Sequence, residues 1–347
     1  MRRTGAGCRW LRQGLCGLLL ALGMGASVAA TVNDQVTVVL AGGDAEAQER
    51  AKAQALGQML QRLAGRPLPT VSRALAPRVD RYVTATAIRQ DEGRELLAVS
   101  FDADALRARL VERGESVWLS ERPPVLIWAA VSETGARRLV GGDGVLAPAL
   151  REAAAAYGVA TLLPVLDLTD REAVRYADIA GGFSDVVAEA TRRYGTPLAL
   201  MLSLTRQGEG WEARWTLVDD GRAAASGDAR AAASDALLER VWGEVVARLR
   251  QEYTAVPDAA AVGIQVTVSG LDDLAALAAA ERRLAGSVGV TGVRLEALEA
   301  GRGRFRVDAE VGPARLQTVL DRAPQWQRDS VAGAGLHYRW LGGGGSR

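Results

Sequence analysis

Asp167, Asp170, Asp178 and Asp185 have the best claim to chemistry in this chain. They gather around the end of an expected strand, a place where α/β sheets host ligands. Closely placed carboxylates can hold a hard cation or share acid–base work. The same residues have a plainer use. Asp170 can cap a helical turn, and Asp185 falls in the first turn of an expected helix, where the macrodipole favours negative charge. The metal or catalytic reading and the capping reading both stand at this level, and no catalytic residue is assigned.

Other chemistries thin out quickly. His337 is the single histidine, and no neighbouring Ser or Asp motif could build a triad on it. It reads as a surface or edge-strand imidazole. Lys52 is the single lysine, expected at a solvent-facing helix position, so no lysine follows a glycine-rich phosphate loop. Gly141-Gly142-Asp143-Gly144 lies between a strand and a helix, where helix amides can meet an anion, but the ordered GxGxxG spacing is missing. Gly286, Gly289 and Gly292 lie between a helix and a hairpin. Both glycine groups read as tight turns. No zinc or haem ligand set is present, and no cofactor is expected.

The first 30 residues carry an address. Arg2, Arg3, Arg9 and Arg12 form a basic segment, Leu15 to Leu22 an apolar run, and Ser27-Val28-Ala29 or Val28-Ala29-Ala30 a small-residue cleavage pattern. The run is broken by Gly17, Gly23 and Gly25 and is short of the ~20 apolar residues of a spanning helix. A cleaved signal peptide delivering the chain to the periplasm is expected, with an inner-membrane tether as the alternative if it stays uncleaved. Cys8 and Cys16, the only cysteines, lie inside this segment. The mature chain therefore has no thiol for disulfides, nucleophilic attack or metal ligation. Four of the 42 basic side chains leave with the leader, so 38 face 41 acidic ones and the net charge becomes about −3. That balance argues against a phosphate-backbone partner, and no nucleic-acid binding is expected.

The elements that must position these residues fall into three regions. Over 31–120, a strand Val36 to Leu40, a helix Ala45 to Ala64 and a short helix Val71 to Val79 precede a hairpin. Its strands are Tyr82 to Ile88 and Glu95 to Phe101, turning at Asp91-Glu92-Gly93, and a helix Asp104 to Glu112 follows. This predicts a small two-layer α+β domain.

Over 121–256, Val125 to Val131 is apolar on both faces and reads as a central strand. A helix Ala147 to Tyr157, a strand Ala160 to Leu166, a helical turn Asp170 to Ala173 and a helix Phe183 to Tyr194 come next. Strands Pro197 to Leu204 and Trp211 to Val218 precede a helix from about Asp228 to Tyr253, with Leu238, Val241, Trp242, Val245 and Leu249 on one stripe. The alternation implies an α/β sheet domain. Trp118, Trp128, Trp211, Trp215 and Trp242 cluster in or beside this region and read as core, with a protein or glycan groove as the alternative.

Over 257–341, a strand Gly263 to Val268, a helix Leu271 to Leu284, a hairpin of Val293 to Ala300 and Arg304 to Val311, and a helix from Pro313 give a ferredoxin-like βαββα unit. A strand Leu336 to Leu341 could complete its sheet. Residues 342–347 form a glycine-rich tail, flexible by composition.

Ser120 to Trp128, Leu162 to Asp170, Asp178 to Phe183, Arg193-Tyr194-Gly195 and Trp211 to Trp215 together resemble the proteobacterial family named for domain of unknown function 2066 (DUF2066). Arg62 to Gly65 and Arg81-Tyr82-Val83 extend the likeness to roughly residues 30 to 255. The resemblance implies an exported protein without an assigned activity and transfers no catalytic residue. An exported multi-domain chain without a coherent active-site constellation points to a non-enzymatic cell-envelope protein, a protein-binding or assembly factor with an envelope protein as partner. The alternative is a cation-dependent hydrolase or small-ligand sensor built on Asp167, Asp170, Asp178 and Asp185.

Overall fold

The computed structural model describes residues 34–91, 93–120, 122–255, 263–329 and 335–342. The expected leader, residues 343–347 of the tail and the turn residue Glu92 lie outside them. The architecture is mixed α+β with several sheets.

The N-terminal sheet has strands β1 (Gln35–Val39), β2 (Val83–Asp91) and β3 (Arg94–Phe101) in the order β1-β3-β2, all antiparallel. Helix α1 (Ala45–Ala64) starts where the Asp44 carboxylate accepts the Ala47 N–H at 2.6 Å and ends at Gly65 in the left-handed conformation. Leu56, Met59, Leu60 and Leu63 are fully buried along one stripe against β1 and β3. Helix α2 (Pro69–Leu75) passes into a helical turn at Ala76–Arg81, and α3 (Ala103–Glu112) is capped by Asp102. Lys52 is not solvent-facing as expected: it bridges Glu49 at 2.8 Å and Asp80 at 2.7 Å, with most of its side chain covered.

A short strand β4 (Val117–Trp118) leads into the central sheet. Its strands β5 (Val125–Glu133), β6 (Ala136–Val140), β7 (Thr161–Leu162), β8 (Leu198–Gln207), β9 (Gly210–Asp219) and β10 (Arg222–Ala231) pair in the order β10-β9-β8-β5-β6, with β7 also on β5. Only β5 with β8 and β5 with β7 run parallel. Val125, Ile127, Ala129 and Val131 face one core, with α4 (Ala147–Ala155) and α8 (Ser234–Tyr253). Leu126, Trp128 and Ala130 face a second core beneath α5 (Leu168–Ala173), α6 (Tyr176–Gly181) and α7 (Ser184–Thr191). A side chain of this kind is worth about 1.5–3 kcal/mol when fully buried, so β5 is anchored from both sides.

Two expectations fail here. The helix expected from about Asp228 begins at Ser234, because Arg222–Ala231 is an edge strand. Gly227 in that strand leaves room for Trp215, whose ring lies 2.9 Å from where a Cβ would stand. The strand expected at Ala160 to Leu166 is two residues long, and Leu166 takes φ 57°, which no strand allows.

After β11 (Thr254–Ala255), which pairs with β4, the C-terminal sheet follows the order β13-β14-β12-β16-β15. Strand β12 (Ile264–Ser269), helix α9 (Leu274–Ala285), hairpin β13 (Val290–Glu299) and β14 (Arg302–Ala309), and helix α10 (Pro313–Arg322) appear in the βαββα order. The closing strand departs from a ferredoxin-like sheet. Strand β15 (Trp326–Arg328) turns the chain once more, so β16 (Leu336–Trp340) enters beside β12 in parallel. His337 consequently lies in an inner strand, not at an edge, and its Nε2 is buried without a partner among the described residues. Among the described residues, no helix is long and apolar enough to cross a membrane.

Gly158 sets how closely the chain after α4 approaches the end of α1. Its φ is 73°, and a Cβ there would fall 2.0 Å from the Arg62 carbonyl oxygen. Gly195 has a similar φ of 67° with open space around it. Gly195→Ala should cost only the left-handed penalty of about 1–2 kcal/mol. Gly158→Ala should add the clash and reach about 3–4 kcal/mol. Urea unfolding of the two variants measures the difference, and equal costs would show that the contact does not matter.

Candidate functional site

The aspartates singled out by sequence separate into two groups. Asp167 is the N-cap of α5, accepting the Asp170 N–H at 3.0 Å. The Arg193 guanidinium closes on it in a fork, Nη1 donating at 2.8 Å and Nη2 at 2.6 Å. The same Nη1 donates to Asp170 at 2.9 Å. Asp170 is 2% exposed. Its second oxygen accepts from the Tyr194 hydroxyl at 2.6 Å and from the Leu166 N–H at 2.9 Å. The Tyr194 oxygen in turn accepts the Val165 N–H at 2.9 Å. Asp178 and Asp185 are not brought to this cluster. Asp178 accepts the Arg175 N–H in a capping arrangement at the start of α6, and Asp185 lies exposed in the first turn of α7.

This geometry decides much of what the cluster can do. A forked guanidinium on two carboxylates stands where a hard cation would have to enter. Hydrogen bonding from Arg193 holds the Asp167 carboxyl well below the usual carboxylate range, and Asp167 holds the guanidinium correspondingly higher. Burial and the Asp170 contact push the Tyr194 hydroxyl upward, so it stays a proton donor at neutral pH. Among the described residues, no group of three or more His, Cys, Asp or Glu side chains is arranged to hold a metal ion. The glycine turn at 141–144 is also occupied internally: the Gly144 N–H donates to the Gly141 carbonyl, and Arg151 donates to the Gly142 carbonyl.

What the network does fix is a loop. Leu166 at φ 57° is strained for a residue with a branched side chain, at a cost on the order of 1–3 kcal/mol. The N–H groups of Val165 and Leu166 are both captured by the Tyr194–Asp170 pair, which holds that conformation. Tyr194 is itself seated edge-on against the buried Trp128 ring, 6.2 Å between centroids. The loop therefore presents Val165 at 69% exposure and Leu168 at 72%. Phe183, which precedes α7, and Val186 on that helix are exposed as well. Sequence reasoning gave Arg193 and Tyr194 no role. The signal available was a basic and a phenolic residue directly before Gly195, the helix-ending glycine that fixes their direction.

Residues 29–119 match the family described as a domain of unknown function (DUF8605). The match covers well under half of the chain. It overturns the resemblance to family 2066, which is a different and unrelated domain. The short motifs behind that resemblance are signals of local structure: Asp167 is an N-cap, and Gly182 and Gly195 are left-handed helix ends. Such residues recur wherever helices start and stop. No curated protein matches the chain. Among solved structures, TolB from Acinetobacter baumannii is similar over 44% of this chain and 33% of its own, at 12% identity and a TM-score of 0.24. The chain thus spans a third of the length of TolB.

Removing one partner from the buried end of the network should be costly, and removing one from its exposed end should not. Asp170→Asn is expected to lose about 3–5 kcal/mol of stability, and Tyr194→Phe about 1–3 kcal/mol, because the Val165 N–H loses its acceptor. Asp167→Asn should cost less than either, its pair with Arg193 being open to water. The depressed Asp167 pKa gives the sign with pH. Its contribution is complete above about pH 4, where the unfolded carboxyl ionises, and fades as pH falls through the lower folded value. Denaturant unfolding of wild type and Asp167→Asn from pH 7 to pH 2 should show the gap closing only on the acid side.

Proposed function

We propose that this chain is a non-enzymatic cell-envelope protein that binds a protein partner through the loop at 163–168 and the exposed apolar side chains beside it. One observation carries the reading. The carboxylates best placed for chemistry are engaged by Arg193 and Tyr194, and their bonds hold a strained loop that exposes Val165 and Leu168. Backbone strain kept in place by a buried charged network is the kind of preorganisation that recognition surfaces use. Exposed large apolar residues on a fixed loop suit a protein surface better than a small polar ligand. The leader pattern supports the periplasm as the place of action, and cell fractionation with and without a signal-peptidase inhibitor tests it.

The interaction is tested with a photo-crosslinking residue placed at Val165 or Leu168 in cells, and at Leu298 on β13 as an exposed comparison site. One discrete adduct is expected from the loop positions and none from Leu298. Leu168→Glu should weaken the captured complex about tenfold, roughly 1.4 kcal/mol, without lowering the unfolding midpoint. Metal-dependent turnover by the pure protein, lost in Asp167→Asn, would replace this reading with the hydrolase alternative.

A further inference from the structure

A second feature lies away from that loop, in the N-terminal part of the chain. A cleft of about 460 Å³ opens between the helical turn at Ala76–Arg81 and helix α3. Arg78 and Arg81 stand on one wall, and Arg109 and Arg113 on the other. Ala74, Ala105 and Ala108 contribute small side chains to the lining. Glu112 is the one carboxylate in the lining, and it is engaged by Arg109 at 2.5 Å. Among the described residues, the side chains of Arg78, Arg81 and Arg113 have no hydrogen-bond or ion-pair partner, in contrast to Arg109.

Four guanidinium groups around one cleft, with a single carboxylate among them, repel one another. Arg109 and Arg113 are also one helical turn apart, a spacing at which like charges disfavour the helix. The field they create focuses anions in a concave site. Each guanidinium offers a planar fork that matches the oxygens of a phosphate or carboxylate. The half-buried Tyr82 adds a phenolic group at the same wall. The volume exceeds what a single small anion fills, and the arginines approach from two sides, so a ligand with more than one anionic group satisfies both walls together.

We propose that this cleft binds a small polyanion bearing two or more phosphate or carboxylate groups, with Arg78 and Arg81 holding one end and Arg113 the other. The overall charge of the chain is near neutral, so the site is local: it depends on three unpaired arginines from two short segments and not on a basic surface.

Isothermal titration of the full chain with pyrophosphate, tripolyphosphate and citrate tests the proposal, with co-sedimentation on phosphatidylglycerol vesicles as a separate arm. Tripolyphosphate is expected to bind most tightly of the soluble probes and to raise the unfolding midpoint. Arg78→Gln with Arg113→Gln should weaken binding at least tenfold, and Arg283→Gln on α9 should leave it unchanged. All three positions lie on exposed surface, and an unshifted unfolding midpoint of the ligand-free variants confirms that they fold. If vesicles bind with the same dependence on Arg78 and Arg113 while the soluble probes do not, the anionic groups are those of a lipid headgroup at the same site. No binding in either arm, or binding indifferent to Arg78→Gln with Arg113→Gln, overturns the proposal.

Discussion

Val117, Trp118 and Leu119 are consecutive in the chain, yet each is buried in a different core. Val117 packs with α1, Trp118 with α8 and the central sheet, and Leu119 with β12 and β14. Three cores that share one three-residue stretch cannot move independently without withdrawing one of these side chains. The stretch is pinned along its backbone, through pairing of β4 with β11 and the Leu119 N–H donated to the Tyr253 carbonyl. It is pinned again by side chains. The Trp118 indole N–H donates to the Tyr157 carbonyl at 2.8 Å, and Arg250 reaches from α8 to the Ala64 carbonyl that ends α1. On the other side, the Ser120 backbone and hydroxyl both donate to Glu310, and Arg315 caps the end of α8 through the Gln251 and Glu252 carbonyls.

The cost of this junction falls on Arg122. Its guanidinium lies 5.2 Å from the Trp118 ring centroid and donates to the Leu119 and Gly158 carbonyls. Burial is the main cause that lowers its pKa to about 10, with the like charge of Arg107 adding and Glu310 opposing. At neutral pH it remains charged, and neutral carbonyl oxygens, not a carboxylate, satisfy it. A lysine here would present a compact ammonium with no plane to lie over the indole, and would lose its charge more readily on burial. The use of arginine at all but one basic position matters at this point, because the junction needs a cation that spreads its charge and donates in two directions.

Much of this arrangement could be read from the chain, and the parts that could not share a cause. The double-sided apolar run of β5 and the stripe of α8 are local signals, and the structure places each where its chemistry predicts, whereas the cap expected at Asp170 is supplied by Asp167 three residues earlier, with Asp170 in the first turn. Strand β6, Ala136–Val140, carries two arginines on an exposed edge, so it shows no apolar alternation. Strand β10 is nearly all small or polar, and its Gly227 lies against the ring of Trp215. Edge strands are specified by the neighbour they pair with, and a neighbour is invisible to a window of ten residues. Leu166 failed for a related reason: its φ is imposed by acceptors on residues 170 and 194, against the preference of its own side chain.

The same distinction separates the aspartates from the arginines that answer them. Counting acids along the chain found Asp167 and Asp170, since acidic residues near a strand end are conspicuous. Whether such a pair is a cation site or a structural one depends on what faces it, and Arg193 faces it from 23 and 26 residues away in sequence. With Arg193 in place, the two carboxylates are satisfied ligands of a side-chain cation, and their remaining capacity goes into holding the loop through Leu166 and Tyr194. The arginines at the N-terminal cleft present the opposite case. Arg78, Arg81 and Arg113 are inconspicuous in a sequence rich in arginine, and what marks them is that, among the described residues, no carboxylate is placed to meet them. A charge that the fold neutralises stabilises the fold, and a group of like charges that it leaves open in a concave site is free to meet something from outside.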